Sequence, residues 1–195
     1  PMPEQEQVER WNDSFSTAKK EIQDWGEDRE ETIRERAGSW ISRYHGYYAK
    51  QITAPDHASI EKEVKGEIGG VPVRGFVDVV SNFFRDAPEV VDYKTGKSAK
   101  SEGEAEASIQ MGVYSHLTGL SRVKYVCFVK TKEPQIKSVT AERTERSIER
   151  TANVVRSVAE AITKGNFPFT DPAGWKCSMR YCGVWVYCKQ GGKKA

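Results

Sequence analysis

Residues 61–97 read EKEVKGEIGGVPVRGFVDVVSNFFRDAPEVVDYKTGK, and this stretch decides the fold. Its apolar residues are mostly β-branched and fall in short runs that are bounded by turn residues, which predicts three neighbouring strands. The pair Gly69-Gly70, between the first two runs, is typical of a tight β-hairpin. The rest of the chain is interpreted outward from these strands.

Two acidic residues, Asp78 and Asp92, interrupt the apolar runs of the second and third predicted strands. A carboxylate in such a run is costly unless a cation compensates it. Lys94 follows Asp92 by two residues, and side chains alternate along a strand, so both project to the same side. Two carboxylates and an ammonium that converge at one sheet edge can hold a hard divalent cation and a water nucleophile. The pattern therefore predicts a hydrolytic metal site.

The motifs follow one another in a recognisable order: Gly75-x-x-Asp78, then DYKTG at 92–96, then Gln110-x-x-x-Tyr114. This order resembles the RecB-like branch of the PD-(D/E)XK nuclease superfamily, which includes CRISPR-adaptation and phage recombination exonucleases. The resemblance implies an α/β fold with a mixed central β-sheet flanked by helices, the restriction-endonuclease-like core. A helical N-terminal arm and an irregular C-terminal segment rich in cysteine and aromatic residues would be added to it.

The resemblance also implies roles for the residues of these motifs. Asp78, Asp92 and the backbone carbonyl of Tyr93 would hold Mg²⁺ or Mn²⁺, and Lys94 would position the attacking water. Gln110 and Tyr114, which share one helix face at a spacing of four, would orient a DNA phosphate or the catalytic lysine. The alternative for this pair is a core-facing tyrosine with an incidental glutamine.

Two further candidates come from the resemblance. The extra acid that the family carries in its first strand fits Glu63, although an exposed strand acid can equally be a solvated side chain. The family often places a metal-binding histidine on the helix before the sheet, as G-x-x-x-H. His45 lies there but departs from that spacing, because Ser42 stands four residues after Gly38; a structural role is the alternative.

The C-terminal tail contains Cys177, Cys182 and Cys188, spaced C-x4-C-x5-C among aromatic residues. Clustered thiolates can bind a soft cation and so staple a segment that lacks its own core. Some RecB-like nucleases fold such a tail around an iron–sulfur cluster, with C-x2-C-x5-C spacing and one early cysteine. Here the spacing differs, and Cys127 lies in a predicted strand as a core residue. An iron–sulfur cluster, a zinc ion and three free thiols all remain open.

Length and composition predict a single domain over residues 1–195 with a net charge of +2, and the resemblance implies that it is a nuclease domain. No apolar run approaches the roughly 20 residues of a membrane span, and no signal-peptide pattern opens the chain. Four cysteines without a secretory signal argue against disulfides, so we expect a cytoplasmic protein without a membrane partner. The predicted parts are a helical arm (1–55), the catalytic sheet with the Q-x-x-x-Y helix (60–141), a long helix (142–165) and the cysteine-rich tail (166–195).

The sequence thus predicts a metal-dependent deoxyribonuclease that hydrolyses phosphodiester bonds. The resemblance favours an exonuclease that acts on free or single-stranded DNA ends in recombination, repair or phage replication, with recombination or CRISPR and phage proteins as partners. One alternative is a non-catalytic DNA-binding or scaffold protein on a nuclease fold. The presence of Asp78, Asp92 and Lys94 together argues against it. A restriction-type endonuclease is the other alternative, and cleavage of circular DNA would distinguish it.

Overall fold

The structure of the protein is a computed structural model. It describes residues 2–21, 29–46, 59–81, 88–166, 174, 176–179 and 181–188. The chain divides into two compact units, residues 1–156 and residues 157–195. The sheet and the predicted site lie in the first unit. The single-domain organisation stays a prediction.

One mixed sheet of five strands forms the centre of the first unit, with the strands in sequence order. The strands are β1 (Ile60–Ile68), β2 (Val71–Ser81), β3 (Glu89–Gly96), β4 (Arg122–Val129) and β5 (Gln135–Glu142). Among the described strands, β3 pairs with β4 in parallel and the other neighbours are antiparallel. The described helices are α1 (Glu4–Ala18), α2 (Glu30–Tyr44), α3 (Glu102–Ala107), α4 (Ile109–Thr118) and α5 (Glu145–Thr163). The predicted α/β class, a mixed sheet with flanking helices, is confirmed.

The hairpin between β1 and β2 forms where the two glycines predicted it. Gly69 and Gly70 have φ values of +60° and +82°, and two consecutive positive φ angles are the signature of a type I′ turn. The turn fixes the register from Ile68 opposite Val71 to Ile60 opposite Val79. This register brings β2, which carries Asp78, beside the first strand.

The crossover between β3 and β4 differs from the single helix that the sequence predicted. It consists of α3 and α4, which are separated at Ser108, a residue with extended backbone angles. The Ser108 hydroxyl accepts a hydrogen bond from the Met111 backbone N–H at 3.2 Å and another from the Tyr125 hydroxyl at 2.9 Å. An N-cap with these two partners starts a new helix here. Gly119 ends α4 in the left-handed conformation, which glycine adopts without strain.

Two apolar clusters pack on the sheet. The first joins α3 and α4 to the β4 residues Val123, Tyr125, Cys127 and Val129, and the second joins Tyr44 of α2 to residues such as Val91 and Val126. The β3–β4 register pairs Asp92 with Tyr125 and Lys94 with Cys127, so both polar residues share the face that α3 and α4 cover. Cys127 is buried, as expected of a core residue. Within the described residues, no helix combines the length and the apolar character that crossing a membrane requires.

The contact between α4 and α5 requires a glycine at position 112. A Cβ atom there would overlap the Thr151 hydroxyl and lie 2.6 Å from Arg143 Nη2. We expect Gly112→Ala to lower the free energy of unfolding by about 1–3 kcal/mol, the usual cost of overpacking a core. Gly103→Ala in α3 is the matched control, because a Cβ atom on Gly103 would have no neighbour within 4 Å. Urea unfolding measures both variants, and equal losses would contradict the packing argument.

Candidate active site

The site begins where the pairing of β2 with β3 ends. That pairing runs from Ser81 opposite Glu89 to Val79 opposite Val91. At the next step, the Tyr93 backbone N–H donates to Asp78 Oδ2 at 2.7 Å. A carboxylate thus accepts the bond of a strand N–H, and this charge-assisted contact holds Asp78 beside β3.

Asp92 is the buried acid of the site. Its side chain is only 2% exposed, and its Oδ2 lies 2.5 Å from Lys94 Nζ. Burial raises the pKa of Asp92, the Lys94 ammonium opposes that rise, and the Asp78 charge adds to it. The contact with Lys94 is an ion pair by distance, but among the described residues no well-aligned hydrogen bond reaches Asp92 Oδ2. The buried Asp92 Oδ2 therefore has the Lys94 ammonium as its counter-ion.

Lys94 lies between this buried acid and solvent. Its side chain is 36% exposed, and its Nζ lies 5.9 Å from the centroid of the Tyr125 ring. An ammonium that is held by a carboxylate on one side and is open on the other can reach a substrate anion. The structure therefore brings Asp78, Asp92 and Lys94 together where the pairing of β2 with the central strand β3 ends. Their catalytic roles stay predictions.

The donor set fits a hard divalent cation. Among the described residues, no group of three or more His, Cys, Asp or Glu side chains could hold a metal by itself. Mg²⁺ keeps several waters and binds proteins through one or two carboxylates, so Asp78, Asp92 and the Tyr93 carbonyl suffice in kind. The bond from the Tyr93 N–H to Asp78 Oδ2 places the second carboxylate beside the residue that follows Asp92, and this proximity supports the fit. The nearby ammonium limits the charge that a metal would have to neutralise.

Glu63 lies on β1, opposite Phe76 of β2. Its carboxylate contacts Lys65 Nζ at 2.9 Å and Arg74 Nε at 2.5 Å. These two cations hold the pKa of Glu63 below its usual range, with the bond to Lys65 as the largest cause. The contacts are those of an ion-paired strand acid, and its role as a metal ligand stays a prediction.

Gln110 and Tyr114 interact directly on α4. The Gln110 side-chain amide donates to the Tyr114 hydroxyl at 3.1 Å, and Tyr114 is buried. The Tyr114 ring packs over Gly75, where a Cβ atom would lie 3.2 Å from Tyr114 Cε1. The pair thus joins α4 to β2 three residues before Asp78. Its action on a phosphate or on Lys94 stays a prediction.

His45 follows the last residue of α2. Its Nε2 lies 3.2 Å from the Met2 carbonyl oxygen, and its Nδ1 lies 3.9 Å from a Glu4 carboxylate oxygen. The ring therefore faces the start of α1, and the described contacts are those of a structural histidine. A role as a metal ligand stays a prediction that this geometry does not support.

The tail cysteines lie in the second unit, where Trp185–Tyr187 form a short 3₁₀ helix. Cys177, Cys182 and Cys188 are free thiols of intermediate exposure. In the described part of the tail they do not form a group that could hold a metal. The iron–sulfur and zinc hypotheses therefore gain no support here.

Metal analysis of anaerobically purified protein tests the tail. We expect neither iron nor zinc, and we expect Cys182→Ser to lower the free energy of unfolding by about 1–2 kcal/mol with cleavage retained. The expected loss is modest because Cys182 has a small, partly buried side chain. Its backbone N–H donates a hydrogen bond to the nearby Ser178 carbonyl, and the substitution leaves that bond unchanged. A brown protein with about four irons per chain would contradict it.

Tyr125 is a further residue beside the site, and none of the sequence motifs includes it. In the structure its ring lies near the Lys94 ammonium, and its hydroxyl donates to Ser108, the residue that caps α4. Tyr125 therefore links the site to the start of that helix. The signal that could have found it is the parallel pairing of β3 with β4, which sets Tyr125 opposite Asp92.

The fold is a mixed β-sheet flanked by helices. One strand carries Asp-x-Lys and the neighbouring strand carries an aspartate, which is typical of nucleases with the restriction-endonuclease-like fold. The chain belongs to the PD-(D/E)XK nuclease superfamily, whose family model matches residues 2–189. No curated protein matches it.

Two solved structures are similar to the chain. The crystal structure of a "putative exonuclease" from Eubacterium rectale superposes with a TM-score of 0.55 at 16% identity, covering 87% of this chain and 68% of that one. The crystal structure of SSO0001 superposes with a TM-score of 0.45 at 19% identity, covering 83% of this chain and 79% of that one. At 16% identity, the similarity to the Eubacterium rectale structure supports the fold alone. The similarity to SSO0001, with a TM-score of 0.45, supports no further conclusion.

Proposed function

We propose that this protein is a metal-dependent DNA nuclease that degrades DNA from its ends. The observation that carries the proposal is the buried Asp92 carboxylate in contact with the Lys94 ammonium, beside Asp78, in a chain of the PD-(D/E)XK superfamily. Two neighbouring strands of a sheet have no structural need for two adjacent acids. Their mutual repulsion is a cost that a bound cation offsets.

The residues divide the chemistry between them. Asp78, Asp92 and the Tyr93 carbonyl would hold Mg²⁺ or Mn²⁺, which when bound polarises the scissile phosphate and acidifies a water. Lys94 donates hydrogen bonds to the attacking water and to the phosphate oxygens, where negative charge grows in the transition state. Its ion pair with Asp92 fixes the ammonium before substrate arrives, so little reorganisation is needed.

The preference for ends rests on the RecB-like order of the motifs, and it agrees with the name of the Eubacterium rectale protein. Recombination, repair and phage replication all produce free or single-stranded DNA ends. We therefore propose DNA ends as the substrate and proteins of these pathways, or of CRISPR adaptation, as partners. A cytoplasmic location is part of the same proposal.

An assay on end-labelled linear DNA and on closed circular DNA tests the proposal. With Mg²⁺ or Mn²⁺ we expect the linear DNA to be degraded and the circular DNA to survive, and with EDTA we expect neither to be cleaved. Cleavage of the circular DNA would instead favour the restriction-type endonuclease. DNA binding by the wild-type protein without cleavage under any metal condition would favour the scaffold alternative.

A further inference from the structure

A polar cavity of about 530 Å³ lies between α3, the first residue of α4, and α5. Its charged lining consists of Arg143, Arg146, Arg150 and Glu106. Three guanidinium groups thus face one carboxylate. The mechanism above uses none of these residues.

Arg143 is the buried member of the group, at 5% exposure. Its guanidinium donates to the Ser147 carbonyl at 3.2 Å and to the Thr151 hydroxyl at 3.1 Å, and more weakly to the Ala105 carbonyl at 3.4 Å. Its Nε–H is buried and finds no acceptor among the described residues. All of its described hydrogen-bond partners are neutral, so no contacting anion compensates the charge of this buried cation.

Arg146 and Arg150 stand one turn apart on α5, and both are exposed. Across the described residues neither forms an ion pair, whereas Arg10, Arg34 and Arg74 each contact a glutamate. Like charges at this spacing repel, so the arrangement is unfavourable unless an anion lies between them. Planar guanidinium groups match the oxygens of a phosphate in geometry as well as in charge.

A chain of contacts connects the cavity to the candidate active site. Ile109 lines the cavity and follows Ser108, whose hydroxyl receives the bond from Tyr125, and the Tyr125 ring lies near Lys94. The α3–α4 segment that forms one wall of the cavity packs on the sheet face that carries Asp92 and Lys94. An anion in the cavity would therefore contact the same α3–α4 segment that packs on the catalytic face of the sheet.

We propose that Arg143, Arg146 and Arg150 form a second phosphate site, which binds a phosphate of the DNA strand away from the bond that is cleaved. This inference rests on the proposed function for the identity of the ligand as DNA. The recognised chemistry is a phosphate oxyanion, and its source is either an internal backbone phosphate or the terminal phosphate of a DNA end.

The test uses the Arg146→Gln/Arg150→Gln double variant of the full chain, with Asp92→Asn added to prevent cleavage. Both arginines are exposed, so the fold is not at risk. Fluorescence anisotropy with a labelled duplex, with and without a 5′-phosphate, gives the affinity across salt concentrations. We expect a loss of about tenfold and a salt slope that is smaller by about one to two. Arg10→Gln/Lys164→Gln is the charge-matched control, because both side chains are exposed and neither lines the cavity.

The outcomes separate the possibilities. A loss confined to the 5′-phosphorylated duplex supports the site and identifies a terminal phosphate, and an equal loss on both duplexes identifies a backbone phosphate. Identical behaviour of the double variant and the control would overturn the inference while leaving the proposed function intact. If the wild type proves not to cleave or bind DNA, inorganic phosphate becomes the probe. Thermal stabilisation by phosphate that the double variant loses then supports the site, and stabilisation that it keeps overturns it.

Discussion

Asp92→Asn is expected to reduce DNA cleavage by at least about a thousandfold, because it removes the buried carboxylate that the metal and Lys94 share. The fold should persist, since asparagine has the same shape and Lys94 is open enough to solvent to remain hydrated without its partner. Cleavage of end-labelled linear DNA in Mg²⁺ gives the rate, and circular dichroism confirms the fold. Asp78→Asn should give a comparable loss.

Metal-free stability gives a second readout of the same substitution. Burial raises the pKa of Asp92 above its ordinary value, so the folded protein binds this proton more tightly than the unfolded chain does. Asp92 therefore contributes its full stabilisation below its pKa in the unfolded chain. This contribution is lost as the pH rises through the higher pKa that Asp92 has in the folded protein. In EDTA at neutral pH, Asp92→Asn should raise the unfolding temperature and remove this decline.

Asp13→Asn is the matched control, because Asp13 is an exposed acid of α1. It should change neither the cleavage rate nor the pH dependence of unfolding. A metal requirement adds a further condition: EDTA should stop the wild-type enzyme, and Mg²⁺ should stabilise the wild type more than Asp92→Asn. Undiminished cleavage by Asp92→Asn, or cleavage that EDTA does not affect, would contradict the assignment of the site.

Much of the fold could be predicted because its signals are local. The hairpin follows from two adjacent glycines that can adopt positive φ, and the end of α4 follows from Gly119. Asp92 and Lys94 could be placed on one face because strand side chains alternate. The break at Ser108 was missed because it depends on a bond from Tyr125, a residue on a strand that follows α4 in sequence.

The parts of the site that could not be predicted depend on long-range packing. The bond from the Tyr93 N–H to Asp78 forms because β2 and β3 stop pairing at Val79. No local sequence pattern predicts where this pairing ends. The position of His45 depends on contacts with Met2, which precedes α1, and with Glu4, the first residue of α1. The burial of Arg143 depends on its contacts with Ala105 of α3 and Thr151 of α5, which no local sequence pattern predicts.

Lys94→Ala is expected to lower the cleavage rate at saturating DNA by about a hundredfold or more, while DNA affinity changes by less than about tenfold. The reason is that the ammonium, held 2.5 Å from Asp92 Oδ2, acts on charge that develops only in the transition state. Single-turnover cleavage across DNA concentrations separates the two effects. Lys94→Arg should restore part of the rate, because it keeps the charge but not the compact geometry of an ammonium.

Lys132→Ala is the control for the general loss of a surface charge, because Lys132 is an exposed residue between β4 and β5. It should leave the saturated rate unchanged and weaken binding only slightly. A Lys94→Ala variant that binds DNA poorly but cleaves normally at saturation would make Lys94 a binding residue instead. That result would leave Asp78 and Asp92 as the metal site and would require another group to stabilise the transition-state charge.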